Sequence, residues 1–245
     1  MSVTVRVDLN SAVVTYRPAA GEERSVTAQE ATPNGLFGSY PWRTFRSHDG
    51  QKHYSGTYWS STLGDHVIYE SRLELANLIA ADFDPHVERI AAQPFLLTAE
   101  VESKPRRHIL DYIWGTDRDP VVVDVVRRER LSRSNIQFLC EWTRIAAESM
   151  GWRYLVACEP DPVWLANIRY LAGYRREWLL NQEVLHDIRA SRLRFAGMSV
   201  AETESLCSTP KHFVRPVLMH MLWCHDYICD LAQPLRPATV LEVPP

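Results

Sequence analysis

Lysine is almost missing from this chain: of 27 basic residues only Lys52, Lys104 and Lys211 are lysines, so chemistry that needs an ammonium group has few places to find one. The sequence also lacks an apolar run of the roughly 20 residues that a membrane-crossing helix requires. Its opening, MSVTVRVDLNS, carries neither the basic start nor the apolar core of a signal peptide. A cytoplasmic protein with no membrane partner is therefore expected. The five cysteines, Cys140, Cys158, Cys207, Cys224 and Cys229, are odd in number and scattered, which excludes a disulfide framework as the organising device. His220, Cys224, His225 and Cys229 cluster, but inside the apolar run VLMHMLWCHDYICDL, where small buried thiols are the commoner reading than zinc. A net charge of −3 gives no global case for a polyanionic partner.

What is present is ordinary globular composition, 46% hydrophobic and 23% charged over 245 residues, enough for one large domain or two small ones. The distribution of charge is less even than its sum. Lys104, Arg106 and Arg107 precede the apolar stretch His108-Ile109-Leu110-Asp111-Tyr112-Ile113-Trp114, and Arg127, Arg128, Arg130 and Arg133 follow a second one, Val121-Val122-Val123-Asp124-Val125-Val126. The polar turn cluster Gly115–Pro120 joins the two, so they read as a β-hairpin with one carboxylate on each strand. A charge in apolar surroundings is costly unless paired or bound to a cation. Two acids on adjacent strands suit a Mg²⁺ shared with a phosphate, because Mg²⁺ needs only one or two protein carboxylates; solvated strand ends are the alternative. Flanking basic groups are what a phosphate backbone requires, with a solvated charged rim as the plainer explanation.

Along the chain, residues 2–16 alternate and read as an amphipathic strand pair, and 17–40 as a loop or arm. Strands are expected near 52–60 and 65–69, where aromatic cross-strand pairing explains the composition better than base stacking. Residues 69–83 predict a helix that is apolar over most of its circumference, with Glu70, Glu74 and Asn77 as one narrow polar stripe, either solvated or presented to a site. Asp84-Pro85 ends it, and VERIAAQPFLL continues as a strand with a break at Gln93-Pro94. After the acid-bearing hairpin come a helix over 134–150, a strand over 152–158, and a helix capped by Asp161 with Pro162 at its first position. Alternating strands and helices indicate an α/β domain. From 177 the pattern turns helical, over 179–192, roughly 200–207, and 211–231, and closes on a short β-segment. The expected organisation is an N-terminal β-rich arm (1–64), a mixed-sheet core with flanking helices (65–174), and a small, mainly helical module of winged-helix type (175–245). Arg189, Arg192 and Arg194 would serve a recognition helix if the last module reads DNA.

An ordered set of residues carries a family resemblance: Gln51-Lys52-His53-Tyr54-Ser55-Gly56, Tyr69-Glu70-Ser71-Arg72-Leu73-Glu74, Asp84-Pro85, Gln93-Pro94, Asp111 and Val122-Val123-Asp124-Val125. It continues through Glu159-Pro160-Asp161-Pro162, Leu165-Ala166-Asn167-Ile168, Leu171-Ala172-Gly173-Tyr174, Leu222-Trp223 and Asp230-Leu231. Over nearly its whole length the chain resembles the TnsA-like endonuclease subunits of bacterial heteromeric transposases. The resemblance implies a restriction-endonuclease-like core that binds Mg²⁺ (or Mn²⁺) and cuts double-stranded DNA at transposon ends. It also implies a DDE transposase and an ATPase transposition regulator as partners. Carried over by position, it implies Glu74 as the helix acid, with Glu70 one turn earlier as second choice. Asp111 and Asp124 are then the strand acids, and all three are metal ligands.

The departure lies two residues after Asp124. The family pattern of acid or amide, any residue, then lysine falls on Asp124, Val125 and Val126. Residues two apart share a face of a strand, so the required cation should sit at 126, where valine stands. Arg127 would face the other way, and Arg128 would lie about 13 Å from Asp124 at ~3.3 Å per residue. Lys52 and Lys104 are the remaining lysines that a fold might bring near. The expectation is thus an endonuclease with Glu74, Asp111, Asp124 and Arg127 as catalytic residues and Lys104, Arg106, Arg107, Arg128 and Arg130 on DNA. The alternative is a catalytically impaired subunit that binds DNA or the transposase.

Overall fold

The computed structural model describes residues 4–43 and 54–244, so Gln51, Lys52, His53 and the predicted start of a strand at 52 lie outside the described residues. Two compact units emerge: Met1–Ala81 with His86–Glu159, and Asp82–Pro85 with Pro160–Pro245. The α/β class is as expected, with antiparallel sheets and helices.

In the first unit the elements run β1 (Val7–Pro18), β2 (Arg24–Thr27), α1 (Pro33–Phe37), β3 (Ser39–Tyr40), β4 (Gly56–Ser60), β5 (Asp65–Tyr69) and α2 (Arg72–Phe83). They continue through β6 (Val87–Ala92), β7 (Leu96–Val101), β8 (Lys104–Ile109), β9 (Tyr112–Thr116), β10 (Val121–Val125), α3 (Ser134–Ser149) and β11 (Arg153–Ala157). One sheet has the order β11-β10-β9-β6; β10 and β11 are parallel, the other pairs antiparallel. Parallel neighbours need a crossover connection, and α3 supplies it. A second sheet has the order β2-β1-β7-β8 with β3 on β1, and β4–β5 form a hairpin.

Three expectations change. The strand pair over 2–16 is one strand with a register shift between Asp8 and Val13, because β7 pairs with it on both sides of the irregularity. The arm at 17–40 contains β2, α1 and β3 rather than plain loop. The strand drawn through VERIAAQPFLL is two strands in different sheets. The switch occurs at Gln93, whose φ of 46° is unusual for a residue with a side chain.

The core of this unit gathers Phe95 and Leu97 of β7, Val122 of β10, Trp142 and Ala146 of α3, and Trp152. Trp142 is 1% exposed and packs edge-on against His108 at 6.2 Å between ring centroids. Burying a large apolar side chain contributes about 1.5–3 kcal/mol, so α3 is fixed mainly through this face. On α2 the residues Ala76, Leu78, Ile79 and Phe83 are buried, as the periodicity predicts, and so is Ala81, beside the stripe expected to be polar. Asn77 is buried too; its amide donates to the carbonyls of Leu73 and Cys158.

The second unit holds α4 (Pro162–Leu171), α5 (Gln182–Ala190), α6 (Arg192–Phe195), α7 (Val200–Leu206) and α8 (Lys211–Trp223). Asp161 caps α4 as its sequence position implies, accepting from the Val163 and Trp164 N–H groups at 2.9 Å. The helix expected over 179–192 stops at Ala190, and the one expected to reach 231 ends at Trp223, with His225 in the left-handed region at φ 59°. The closing segment makes isolated antiparallel bridges, Ser199 with Val240 and Ile228 with Glu242. Among the described residues no helix is long and apolar enough to cross a membrane.

Candidate active site

The start of α2 sets the first acid. Ser71 Oγ accepts the Glu74 N–H at 3.1 Å and donates to Glu74 Oε1 at 2.9 Å, while Glu74 Oε2 accepts the Glu70 N–H at 2.7 Å. This is reciprocal capping of orphan donors at a helix start. The Ser-x-x-Glu spacing therefore has a local structural role, and that role also fixes the Glu74 carboxylate. Burial raises the Glu74 carboxyl above its usual range, partly offset by the Glu70 N–H and Ser71 hydrogen bonds.

Glu70 is held differently. Its Oε1 accepts from the Gln93 amide at 2.7 Å, and Arg43 pairs with its Oε2 at 3.1 Å. Gln93 in turn accepts the Arg43 N–H through its side chain, while its own N–H donates to the Asp111 carbonyl at 2.8 Å. The unusual backbone at Gln93 thus ties Glu70, Arg43 and the residue before β9 together. In the sequence, Gln93-Pro94 stands out only as a strand break and a point of the family resemblance.

Asp111 sits at the bend before β9, where its Oδ2 accepts the Val125 N–H at 2.6 Å. Burial first, then the charge of Asp124, with Glu74 behind them, push its carboxyl up to about 8, against the opposing Val125 N–H and His108. Three carboxylates therefore act on one another across α2, β9 and β10.

Asp124 is buried, with its side chain 4% exposed, and both of its oxygens are taken: Oδ1 by His108 Nε2 at 2.8 Å and Oδ2 by the Tyr154 hydroxyl at 2.6 Å. Side chains alternate along β10. Val122 belongs to the buried cluster that includes Trp142, and Asp124 on the same face meets His108, which packs on Trp142, while Val125 lines the cavity on the opposite side. Burial disfavours a charged His108, but the Asp124 hydrogen bond and charge, with Asp111 behind, outweigh it and hold the imidazole above its ordinary value. The hydrogen-bond partner of Asp124 on this side is thus an imidazole whose charged form Asp124 favours, and it comes from β8 rather than from residue 126.

On the Val125 side lies a polar cavity of about 680 Å³, lined among others by Tyr54, Glu70, Arg72, Glu74, Arg127 and Arg130. The guanidinium of Arg72 lies 4.8 Å from the centroid of the exposed Tyr54 ring. The arginines do not continue the strand alternation expected of them, because β10 ends at Val125 and the chain turns through a 3₁₀ segment, Arg128–Arg130. Arg127 and Arg130 line the cavity instead, with Arg127 3.9 Å from Glu129. Arg128 is held by Glu159, which accepts from its N–H at 2.9 Å and, through the Glu159 carbonyl, from its guanidinium at 3.1 Å. Lys104, Arg106 and Arg107 are exposed on β8. Lys104 and Arg106 share the face that His108 presents to α3, and Arg106 lies over Phe138 at 5.2 Å. Lys104 stands four residues from His108, about 13 Å at ~3.3 Å per residue, so it does not take the missing lysine's place.

Elsewhere two candidate residues meet, with Cys224 Sγ 3.4 Å from His220 Nε2, but no metal-holding group of three forms among the described residues. His220 Nδ1 faces the Tyr174 carbonyl at 2.8 Å, and His225 Nε2 the Phe83 carbonyl at 2.6 Å. Arg189 is paired with Asp226 at 2.7 Å and with Glu177 at 3.6 Å.

Tested against a divalent cation, the donor set fits in part. No group of three or more His, Cys, Asp or Glu residues placed to hold a metal occurs among the described residues. Yet Asp111 Oδ1 accepts no hydrogen bond among the described residues, its neighbours are hard oxygen donors, and its carboxyl is under like-charge repulsion that a cation would relieve. His108, Tyr154, Arg43, Gln93, Arg72 and Tyr54 were not assigned from sequence. Only His108, three residues before an acid in an apolar strand, left a signal there. Comparison with known protein families and with curated protein sequences gives no match to this chain.

Proposed function

We propose that this chain is a TnsA-like DNA endonuclease subunit that makes metal-dependent strand cuts at transposon ends beside a DDE transposase. The observation that carries the reading is the position of Asp111, between the Glu74 and Asp124 charges and next to an arginine-lined polar cavity. The element order α2, β6, β9, β10, α3, β11, with β7 and β8 diverted to another sheet, supports a restriction-endonuclease-like core. The two bridges at the C-terminus support the winged-helix reading of the second unit.

In this reading Asp111 and Glu74 hold Mg²⁺ (or Mn²⁺), and Asp124 acts through the field it shares with Asp111. When bound, the cation polarises the phosphodiester and lowers the pKa of the attacking water. The Asp111 carboxyl gives up its proton as the cation binds, since a ligating carboxylate must be ionised. Arg72, Arg127 and Arg130 neutralise the phosphodiester along the cavity, and His108 with Tyr154 hold Asp124 in one orientation. Lys104 and Arg106 on one face of β8 and Arg107 on the other give the strand exposed basic groups suited to the DNA backbone.

A specific observation favours a second reading, a catalytically impaired subunit that binds DNA or the transposase. Both oxygens of Asp124 and both of Glu74 are engaged within the protein, and residue 126 is valine. End-specific strand cleavage with the cognate transposase in Mg²⁺, comparing wild type with Asp111→Ala, separates the two. The nuclease reading expects cutting by wild type and a loss of at least ~100-fold in the variant. Assembly of both proteins on transposon ends with cutting by neither would establish the binding subunit instead.

A further inference from the structure

The second unit contains a cavity of about 290 Å³ that none of the chemistry above uses. Its size is near the lower end for small-molecule sites, roughly 300–1,000 Å³. Val200, Met219, Pro234, Leu235 and Pro237 give it apolar walls, and Arg215 and Arg236 stand among the same residues. We propose that this cavity binds a compact apolar group bearing a carboxylate, seated with its apolar body against Val200, Met219 and Leu235 and its anion on Arg215 and Arg236.

Three features make it a formed site. Arg215 is fixed by Glu204, whose buried carboxylate accepts from its Nε at 2.5 Å and from its terminal NH2 group at 2.9 Å. That fork uses both Glu204 oxygens and leaves the NH1 donors of Arg215 for another acceptor. The wall over Pro234–Pro237 is pinned from behind: Asn167 donates to the Leu231 and Gln233 carbonyls at 2.8 Å and accepts the Leu235 N–H at 3.1 Å. Val200 and Ala201 tie the same stretch to α7 through the Thr239 and Pro237 carbonyls at 2.9 Å. Finally, among the described residues the carboxylate paired with Arg215 is that of Glu204; the pair is neutral overall with donors to spare, and Arg236 adds the net positive charge among the lining residues. Arg236 donates its backbone N–H to Thr239, and no ion pair to its guanidinium occurs among the described residues. A preformed apolar pocket with a fixed guanidinium selects a carboxylate over its neutral isostere.

The test is calorimetric titration of the full chain at pH 7 with N-acetyl-phenylalanine, its amide and 3-phenylpropionate. The carboxylates should bind at least tenfold more tightly than the amide, since a charge-assisted pair is the term removed. Tighter binding of N-acetyl-phenylalanine than of phenylpropionate assigns the site to a polypeptide C-terminus. Equal or reversed affinity assigns it to a free carboxylic acid. Ala166→Trp, at an exposed position on α4 beside the cavity, should abolish binding without touching the core, and Arg236→Ala should weaken it several-fold. No heat from either carboxylate at millimolar concentration, equal binding of acid and amide, or full binding by a folded Ala166→Trp variant would overturn the proposal.

Discussion

Replacing Asp111 by asparagine should stabilise the protein, and the gain should depend on pH with a predictable sign. Asparagine keeps an oxygen for the Val125 N–H but cannot ionise. In the folded chain the Asp111 carboxyl keeps its proton up to about 8, against an ordinary value of 3.8. The folded state therefore holds one more proton than the unfolded state between those values, and wild-type stability falls as pH rises through that window. The interval sets a ceiling of roughly 6 kcal/mol at ~1.4 kcal/mol per tenfold change. Relaxation and water entry reduce it, so a difference of at least ~2 kcal/mol between the variants' gains at pH 8.5 and pH 4 is expected. Urea unfolding in EDTA at half-unit steps from pH 4 to 9 measures it. Wild type and Asp111→Asn should converge near pH 4 and separate progressively as the pH rises towards 8, the asparagine form being more stable. Added Mg²⁺ should stabilise wild type at pH 8 and leave the variant unchanged. Two parallel stability curves would refute the idea that like charges converge at this carboxyl.

Two further outcomes test the packing behind the site. Tyr154→Phe leaves Asp124 Oδ2 without its donor in a buried position, so urea unfolding should show a loss of about 1–3 kcal/mol. Trp142→Ala removes the fully buried ring between α3 and His108 and should cost about 3–5 kcal/mol in the same assay, with the His108 imidazole resonance shifting in NMR spectra.

What the sequence determined by itself is what local periodicity and short-range chemistry encode. The apolar pattern of α2 and α3, the Asp161-Pro162 start of α4, and the pairing of β9 with β10 each follow from neighbours within a few residues, although the strand expected over His108–Trp114 is divided at Leu110-Asp111 between β8 and β9 in different sheets. So does the capping geometry that fixes Glu74, since Ser71 and Glu74 lie one turn apart. Tertiary structure decided the rest. That Asp124 meets His108 depends on β8 and β10, strands of different sheets, being brought together in the tertiary fold, a relation no local pattern carries. Tyr154 reaches the same carboxylate only through the parallel register of β10 and β11, set by the crossover helix. The end of β10 at Val125, one residue before the position that alternation made decisive, moved Arg127 and Arg130 to the cavity and Arg128 to Glu159. Gln93 could be read as a break but not as the residue joining Glu70 to the Asp111 carbonyl, because that link requires a left-handed backbone between two sheets. Periodicity and capping are encoded within a turn or two of chain, whereas which buried charges meet is set by strand register and sheet choice across tens of residues.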